Sequence, residues 1–223
     1  MTRRTHRPQH LVFRTPQIKT ANVFLLHSMA SSAEEFTELS EKLTEFGCDV
    51  FCLASPIRYS EEGEGVASWY DYRTWRNGED AHDVINTRHL NEEADRVVDF
   101  INGIQANSHV PALLGGTSQG GTIVFHILAT KNVTIDAYFC ARSCFLHSYV
   151  KNKLKKNTKL FTFEAGDDEV YSPDLQHLAL RELLKDNEIC HSNLRKAGLL
   201  HNSTSILQNK SIISFVRSVI EKM

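Results

Sequence analysis

The sequence predicts an α/β fold in which a mostly parallel central sheet is covered by helices on both faces. The main observation is that short apolar runs, rich in β-branched and aromatic residues, alternate along the chain with segments of helical periodicity. The chain has 223 residues, 41% of them hydrophobic and 23% charged, which suits one globular domain with a full core. Alternation of this kind favours parallel strands joined by right-handed crossovers.

The first half of the chain reads as strand, helix, strand, long excursion and helix. Apolar runs at residues 22–27 (NVFLLH) and 48–54 (CDVFCLA) predict two buried strands. Between them, the spacing of an amphipathic helix is followed by a terminating glycine: Phe36, Leu39, Leu43, Phe46 and Gly47. Residues 55–80 are polar, contain glycine and are too numerous for a simple connection, so we expect a functional loop there. A helix is predicted over residues 89–104.

The second half continues the alternation. The apolar run VPALL leads through a turn into the helix TIVFHIL, and IDAYFCA and KLFTFEA predict two more strands. A helix at DLQHLALRELLKD, a weak strand at residues 189–194 and an amphipathic helix over residues 205–223 complete the pattern. We expect residues 1–21 to form an N-terminal arm or edge strand and residues 22–223 to form a single domain.

The composition argues against several classes of partner. The chain carries 25 basic and 27 acidic residues, a net charge of −2, so there is no electrostatic case for binding nucleic acid. None of its five cysteines forms a C-x-x-C pair, which favours a reducing compartment. The opening MTRRTHRPQH lacks the apolar region of a secretory signal, and no apolar run approaches a membrane span. We therefore expect a cytoplasmic monomer or weak homodimer with at most transient membrane contact.

The stretch GGTSQGG, residues 115–121, places one serine between glycines at the predicted strand-to-helix turn. This is the context of the G-x-S-x-G nucleophile elbow, in which Ser118 would be pushed clear of the sheet while the small flanking residues permit close backbone packing. The alternative is a glycine-rich turn that contains an incidental serine. Residues elsewhere in the chain have to distinguish the two.

A histidine and two acids stand at other predicted strand ends. Reactive side chains of open parallel sheets lie at the carboxyl ends of the strands. Asp167 and Asp168 follow KLFTF, and His201 precedes the last helix. Serine, acid, histidine is the chain order of one type of catalytic triad, in which imidazole takes the serine proton and a carboxylate holds the imidazole tautomer. The chain order alone leaves the choice between Asp167 and Asp168 open.

Five segments together resemble the acyl-protein thioesterase / small carboxylesterase (phospholipase-carboxylesterase) family of α/β-hydrolases: GGTSQGG, ASWYDY, SCFL, AGDDEV and GLLHNS. They stand in the order and approximate spacing of that family's G-F-S-Q-G-G, S-W-F-D, S-C-W-L, G-x-x-D-x-V and G-M-x-H motifs, from about residue 22 onwards. The resemblance implies an α/β-hydrolase fold with Ser118 as nucleophile and His201 as base. It implies Asp168 as the acid, because Asp168 is the one followed by Glu169-Val170.

The chain departs from the family after the first predicted strand. Where the family has H-G-x-G, this sequence has HSMASS, with Ser28 and Ala30 in place of glycines. The resemblance makes the backbone N–H groups of Met29 and Gln119 the oxyanion-hole donors. Ser28 and Ala30 hold this turn without strain only at negative φ, and a positive φ costs about 1 kcal/mol or more. We expect the oxyanion hole to be reshaped.

The remaining candidates concern the substrate pocket and metal binding. By the resemblance, Trp69 and Tyr70 in the long excursion form a pocket wall, as do Phe145 and Leu146. The alternative for Trp69 and Tyr70 is a place in the core. His27 reads as a structural turn residue. Four further histidines lack ligand spacing, so no metal site is predicted: His82, His89, His177 and His191.

The sequence thus predicts a serine hydrolase of thioesters or carboxylic esters that works through an acyl-enzyme and needs no cofactor. The resemblance implies substrates of lipid metabolism, S-acylated proteins, small esters or lysophospholipids, in an apolar groove covered by residues 59–80. The alternative is a catalytically weak α/β-hydrolase-fold binding protein or receptor, which the HSMASS segment favours. The set Ser118, Asp168 and His201 argues against that alternative, because a binding protein does not need all three.

Overall fold

A seven-stranded sheet lies at the centre of the protein in the computed structural model, which describes residues 10–59, 65–77, 80–144, 158–185, 189–203 and 206–222. The described strands are β1 (Leu11–Phe13), β2 (Ala21–Leu26), β3 (Cys48–Leu53), β4 (Ile57–Tyr59), β5 (Gly65–Ala67), β6 (Tyr72–Asn77), β7 (Asp80–Ile85), β8 (Ala112–Thr117), β9 (Ala137–Ala141), β10 (Lys159–Ala165) and β11 (Cys190–Lys196). A 3₁₀ turn at Ala33–Phe36 precedes the first of the helices α1 (Thr37–Thr44), α2 (Thr87–Gln105), α3 (Gln119–Thr130), α4 (Pro173–Leu184) and α5 (Ile206–Ile220).

The central sheet has the strand order β1-β3-β2-β8-β9-β10-β11. β1 pairs antiparallel with β3, and every other neighbouring pair in this sheet is parallel. The carboxyl ends of the parallel strands therefore meet at one edge of the sheet, where the chain continues into turns and helices. This confirms the predicted α/β fold with a mostly parallel central sheet.

Helices bury both faces of the sheet. On one face, apolar residues of α2, α3 and α4 pack against the strands, with Leu90 and Val97 of α2 fully buried. On the other face α1 and α5 do the same, through residues such as Leu39 and Val216. β2, β3 and β8 are buried along their whole length, as expected of strands covered on both sides.

The predicted helix bounds differ from the observed ones by a few residues. α2 begins at Thr87, because the side chain of Asn86 accepts a hydrogen bond from the amide of His89 and caps the helix. The terminal helix spans Ile206–Ile220 within the predicted 205–223. No helix in the described ranges is long and apolar enough to cross a bilayer.

The excursion after β3, for which the sequence predicts a functional loop, contains regular secondary structure. β4 pairs with β5, and β6 pairs with β7, so most of its described residues lie in two antiparallel hairpins. The register pairs Asn77 with Asp80, so Gly78 and Glu79 are the two residues between them in the sequence, and glycine as the first residue of a two-residue loop is a hairpin signal.

Candidate active site

Ser118 forms the turn between β8 and α3. Its φ is 52° and its ψ is −121°, a conformation that costs a non-glycine residue about 1 kcal/mol or more. The flanking glycines show how packing holds this turn. A Cβ on Gly116 would lie 2.6 Å from the carbonyl carbon of Gly120, and a Cβ on Gly120 would lie 2.2 Å from the carbonyl oxygen of Leu26. The elbow therefore depends on a close approach of β8, α3 and β2 that only glycine permits.

The structure brings His201 to Ser118. The Oγ atom of Ser118 lies 2.8 Å from Nε2 of His201, and both residues are buried. On the other side of the ring, Nδ1 lies 3.0 and 2.9 Å from the two carboxylate oxygens of Asp168. A carboxylate can only accept a hydrogen bond, so Nδ1 carries the imidazole proton and Nε2 is left to accept the proton of the Ser118 hydroxyl.

The acid loop after β10 directs one of its two aspartates at the histidine. The Asp168 side chain has no exposed surface, and its Oδ1 also accepts the amides of Val170 and Tyr171 at 2.9 and 2.7 Å. Asp167 is exposed and accepts the amide of Gly198 at 3.1 Å. Ser118, His201 and Asp168 thus form one hydrogen-bonded chain, and Asp167 lies outside it.

The backbone of His201 is held from two directions. Its N–H donates to Oε2 of Glu169 at 2.8 Å, and its carbonyl oxygen accepts a hydrogen bond from the guanidinium of Arg142, which also reaches the carbonyl of Ser203 at 3.4 Å. The Tyr171 ring packs edge-on against the imidazole, with 5.4 Å between the ring centroids. The sequence did not predict that Glu169 and Arg142 hold the backbone of His201. A signal was present for Arg142, because this residue directly follows the buried strand β9 and so stands at the carboxyl end of a strand.

Arg142 places a positive charge beside these loops. Its φ of 51° is left-handed, and its amide donates to the carbonyl of Phe163 at 2.8 Å. Burial lowers the pKa of the Arg142 guanidinium, while the carboxylates of Glu35 and Asp168 act in the opposite direction. The guanidinium therefore interacts both with the acid that faces His201 and with a carboxylate next to the HSMASS segment.

Gln119, the residue after the elbow serine, attaches residues 68–70 to the site. Its Oε1 accepts the amide of Trp69 at 2.7 Å, and its Nε2 donates to the carbonyl of Tyr70 at 2.8 Å. The hydroxyl of Ser68 lies within 3.2 Å of the same side-chain amide. With these partners, Gln119 keeps its side chain away from the reacting groups and leaves its backbone N–H at the N-terminus of α3.

The predicted pocket residues are only partly described. Trp69 and Tyr70 are 0% and 2% exposed and belong to the core that α2 and α3 cover, which agrees with the alternative considered from the sequence. The indole N–H of Trp69 donates to the carbonyl of His27 at 2.8 Å. Phe145 and Leu146 lie outside the described residues. A pocket-wall role for any of the four stays a prediction.

The HSMASS segment forms a turn whose backbone is hydrogen-bonded on both sides of Met29. The amide and hydroxyl of Ser28 both donate to the Glu35 carboxylate, at 2.8 and 3.0 Å, and the amide of Ala30 donates to the carbonyl of Ala67 at 2.8 Å. Ala30 has a φ of 58°, so one of the two glycine replacements carries backbone strain. Within the described ranges, the amides of Met29 and Gln119 donate no backbone hydrogen bond.

His27 supports this turn as a neutral ring. Its Nδ1 lies 2.6 Å from the carbonyl oxygen of Ser28, and its Nε2 lies 3.0 Å from the amide nitrogen of Ser55. The carbonyl can only accept and the amide can only donate, so the proton is on Nδ1. Burial lowers the pKa of His27, which favours this neutral form. Elsewhere in the described part of the chain, no group of three His, Cys, Asp or Glu residues is arranged to hold a metal ion.

Several solved structures superpose on almost the whole of this chain. No family profile and no curated sequence matches the chain. Among solved structures, acyl-protein thioesterase 2 of Zea mays superposes with a TM-score of 0.74 at 14% identity, over 96% of this chain and 100% of that one. SOBER1 of Arabidopsis thaliana gives 0.76 at 17% identity, over 90% and 99%. A carboxylesterase of Bacillus cereus gives 0.72 at 11% identity, over 95% and 94%.

Together, these neighbours and the strand order define the fold: the chain has the α/β-hydrolase fold. The neighbours carry the names of the thioesterases and carboxylesterases that the sequence motifs resemble. At identities this low, the similarity establishes the architecture, and the chemistry has to be inferred from the residues of the site.

Proposed function

We propose that the protein is a serine hydrolase that cleaves carboxylic esters or thioesters. The observation that carries this proposal is the continuous hydrogen-bonded chain from Ser118 through His201 to Asp168. A serine hydroxyl is a poor nucleophile until a base takes its proton, and here the imidazole Nε2 of His201 lies 2.8 Å from Oγ.

The geometry supports a two-step acyl transfer. Oγ of Ser118 attacks the substrate carbonyl carbon while Nε2 of His201 takes the hydroxyl proton. The tetrahedral intermediate then collapses, the bond to the leaving alkoxide or thiolate breaks, and His201 returns the proton to the leaving group. Water attacks the resulting acyl-enzyme with His201 again as base, which releases the carboxylic acid and restores Ser118.

Two features would stabilise the charges that form in these steps. Asp168 accepts a hydrogen bond from Nδ1–H and stabilises the imidazolium that develops on His201. The amides of Met29 and Gln119 are the proposed donors to the oxyanion, and Gln119 stands at the N-terminus of α3, where the helix dipole also favours negative charge.

Esters and thioesters pass through the same oxyanion, so the site supports both. The names of the structural neighbours, acyl-protein thioesterase and carboxylesterase, cover these two bond types. We infer acyl substrates, of which S-acylated proteins and lysophospholipids are the candidates, hydrolysed in the cytoplasm by a monomer or weak homodimer.

A fluorophosphonate probe tests the proposal, because it phosphonylates a serine only when that serine is activated. Wild-type protein is expected to take up one equivalent at Ser118, and Ser118→Ala is expected to take up none. On a short p-nitrophenyl ester, Ser118→Ala is expected to lose on the order of 10⁵ to 10⁶ in kcat while keeping the wild-type circular dichroism spectrum. A folded wild-type protein that neither labels nor turns over would favour the ligand-binding alternative.

A further inference from the structure

We infer that Glu35 is a positioning residue of the oxyanion hole and that it compensates for the missing glycines of the HSMASS turn. This inference rests on the proposed function and deepens it. The carrying observation is that one carboxylate accepts both hydrogen bonds that Ser28 can donate, from its amide at 2.8 Å and from its hydroxyl at 3.0 Å.

The orientation of the Met29 amide is set by its neighbour. The carbonyl of Ser28 and the N–H of Met29 belong to the same planar peptide unit and point in opposite directions. His27 Nδ1 donates to that carbonyl at 2.6 Å, and the amide of Ser31 lies 3.3 Å from the same oxygen. Because these donors hold the carbonyl on one side of the turn, the Met29 N–H points to the other.

Glu35 fixes the backbone on the N-terminal side of this peptide unit. The φ and ψ angles of Ser28 determine how the Ser28–Met29 peptide is oriented relative to the Ser28 amide. Glu35 accepts hydrogen bonds from that amide and from the Ser28 hydroxyl, so it restrains these angles. Glycine at this position would have no hydroxyl for Glu35 to hold. The serine that replaces it therefore gives the turn an additional point of attachment.

Glu35 is itself well placed to act as a fixed support. It lies in the 3₁₀ turn Ala33–Phe36, whose two apolar ends, Ala33 and Phe36, are 2% and 4% exposed and belong to the core on the α1 side of the sheet. The positive charge of Arg142, which also interacts with Asp168, attracts the same carboxylate. The carboxylate is thus carried by a turn that is anchored in the core, and it lies within the electrostatic field of Arg142.

Glu34 provides a matched control, because it is the neighbouring exposed acid in the same turn and makes no hydrogen bond to Ser28. We expect Glu35→Ala to lower kcat on a p-nitrophenyl ester about tenfold with KM unchanged within about twofold, because the oxyanion exists only in the transition state. Glu34→Ala is expected to leave both constants at the wild-type values. Equal kcat for the two variants, with an active wild type, would overturn the inference and leave the proposed function standing.

A second pair of variants separates positioning from general stability. Glu35→Gln keeps one oxygen acceptor, so its kcat is expected to fall between the wild-type and Glu35→Ala values.

Ser28→Ala is expected to lower kcat in the wild-type background and to have no further effect in the Glu35→Ala background, since the two residues act as one unit. Full additivity of the two changes would contradict the inference. If Glu35→Ala does not fold, Glu35→Gln and Ser28→Ala are each compared with the wild type: a lower kcat at unchanged KM is expected for both, and wild-type kcat in both would overturn the inference. A wild-type protein without esterase activity or probe labelling would overturn the proposed function, and this inference with it.

Discussion

Both carboxylate oxygens of Asp168 lie within 3.0 Å of Nδ1 of His201, across 33 residues of sequence. The amides of Val170 and Tyr171 hold the same carboxylate in place, so its orientation does not depend on the histidine. Asp167, one residue earlier, is exposed and turned towards Gly198. Two adjacent, chemically identical side chains are therefore expected to have very different importance for activity.

Asp168→Asn is expected to lower kcat by a factor on the order of 10³ to 10⁴, because an amide at this position permits the wrong imidazole tautomer. Asp167→Asn is expected to change kcat far less, since an asparagine oxygen can still accept the Gly198 amide and an exposed charge is screened by solvent. The measurement is kcat of both variants on one activated ester, after circular dichroism shows that each is folded. A larger loss for Asp167→Asn would show that the acid has been assigned to the wrong residue.

Gly120 and Gly103 allow a matched test of the elbow packing. Gly120→Ala would place a Cβ 2.2 Å from the carbonyl oxygen of Leu26 and 2.6 Å from that of His27, and neither backbone group can move aside as a flexible side chain could. We expect a loss of roughly 3 kcal/mol or more in the free energy of unfolding. Gly103→Ala, in α2, meets no atom within 4 Å and is expected to stabilise by about 0.5 to 1 kcal/mol. Urea denaturation measures both, and a Gly120→Ala variant of wild-type stability would show that the elbow is less tightly packed than described.

His27 is expected to make stability depend on pH. Its pKa in the folded protein is lowered by burial, so between about pH 6.5 and that lower value the unfolded chain binds a proton that the folded chain does not. The stability that neutral His27 contributes is fully present above about pH 6.5 and is lost as pH falls through this window. Protonation would place a hydrogen on Nε2, which would then face the N–H of Ser55, so the hydrogen bond between these two groups would be lost.

The test compares the free energy of unfolding of wild-type protein and His27→Gln between pH 7.5 and 5. The wild-type value is expected to fall more steeply, by up to about 1.4 kcal/mol per pH unit for a single proton. His10 and His191, whose pKa values are also lowered by burial, are present in both proteins and cancel in the comparison. Parallel curves for the two proteins would exclude His27 as a titrating group.

Arg142→Leu is expected to lower kcat about tenfold with little change in KM, because the His201 carbonyl loses its donor and the imidazole is less well placed against Ser118. Arg195→Leu is the control, since Arg195 is an exposed arginine on the edge strand β11. Steady-state kinetics of both variants on one ester provide the comparison. If Arg142→Leu keeps wild-type kcat, the contact with the His201 carbonyl does not position the imidazole for reaction.

The sequence by itself determined the class of architecture and the residue types of the candidate site. Period-2 and period-3.6 hydrophobic patterns are local properties, so the alternation of strands and helices could be predicted from them. The elbow could be predicted for a similar reason, because a strained turn packed against neighbouring strands requires glycines two residues before and after Ser118 in the chain itself. The rule that reactive groups stand at strand ends led to His201 and to the pair Asp167 and Asp168, and the family resemblance selected Asp168 from that pair.

Only the tertiary structure decided which side chains meet. Glu35 and Arg142 are ordinary charged residues in the sequence, and their partners Ser28 and His201 are set by how the 3₁₀ turn and the β9 end pack against the other loops. The burial of Trp69 also depends on contacts between distant segments. No local sequence pattern shows that residues 68–70 are hydrogen-bonded to the side chain of Gln119 at the elbow. Contacts between distant segments depend on sheet order and loop packing, and hydrophobic periodicity contains no information about either.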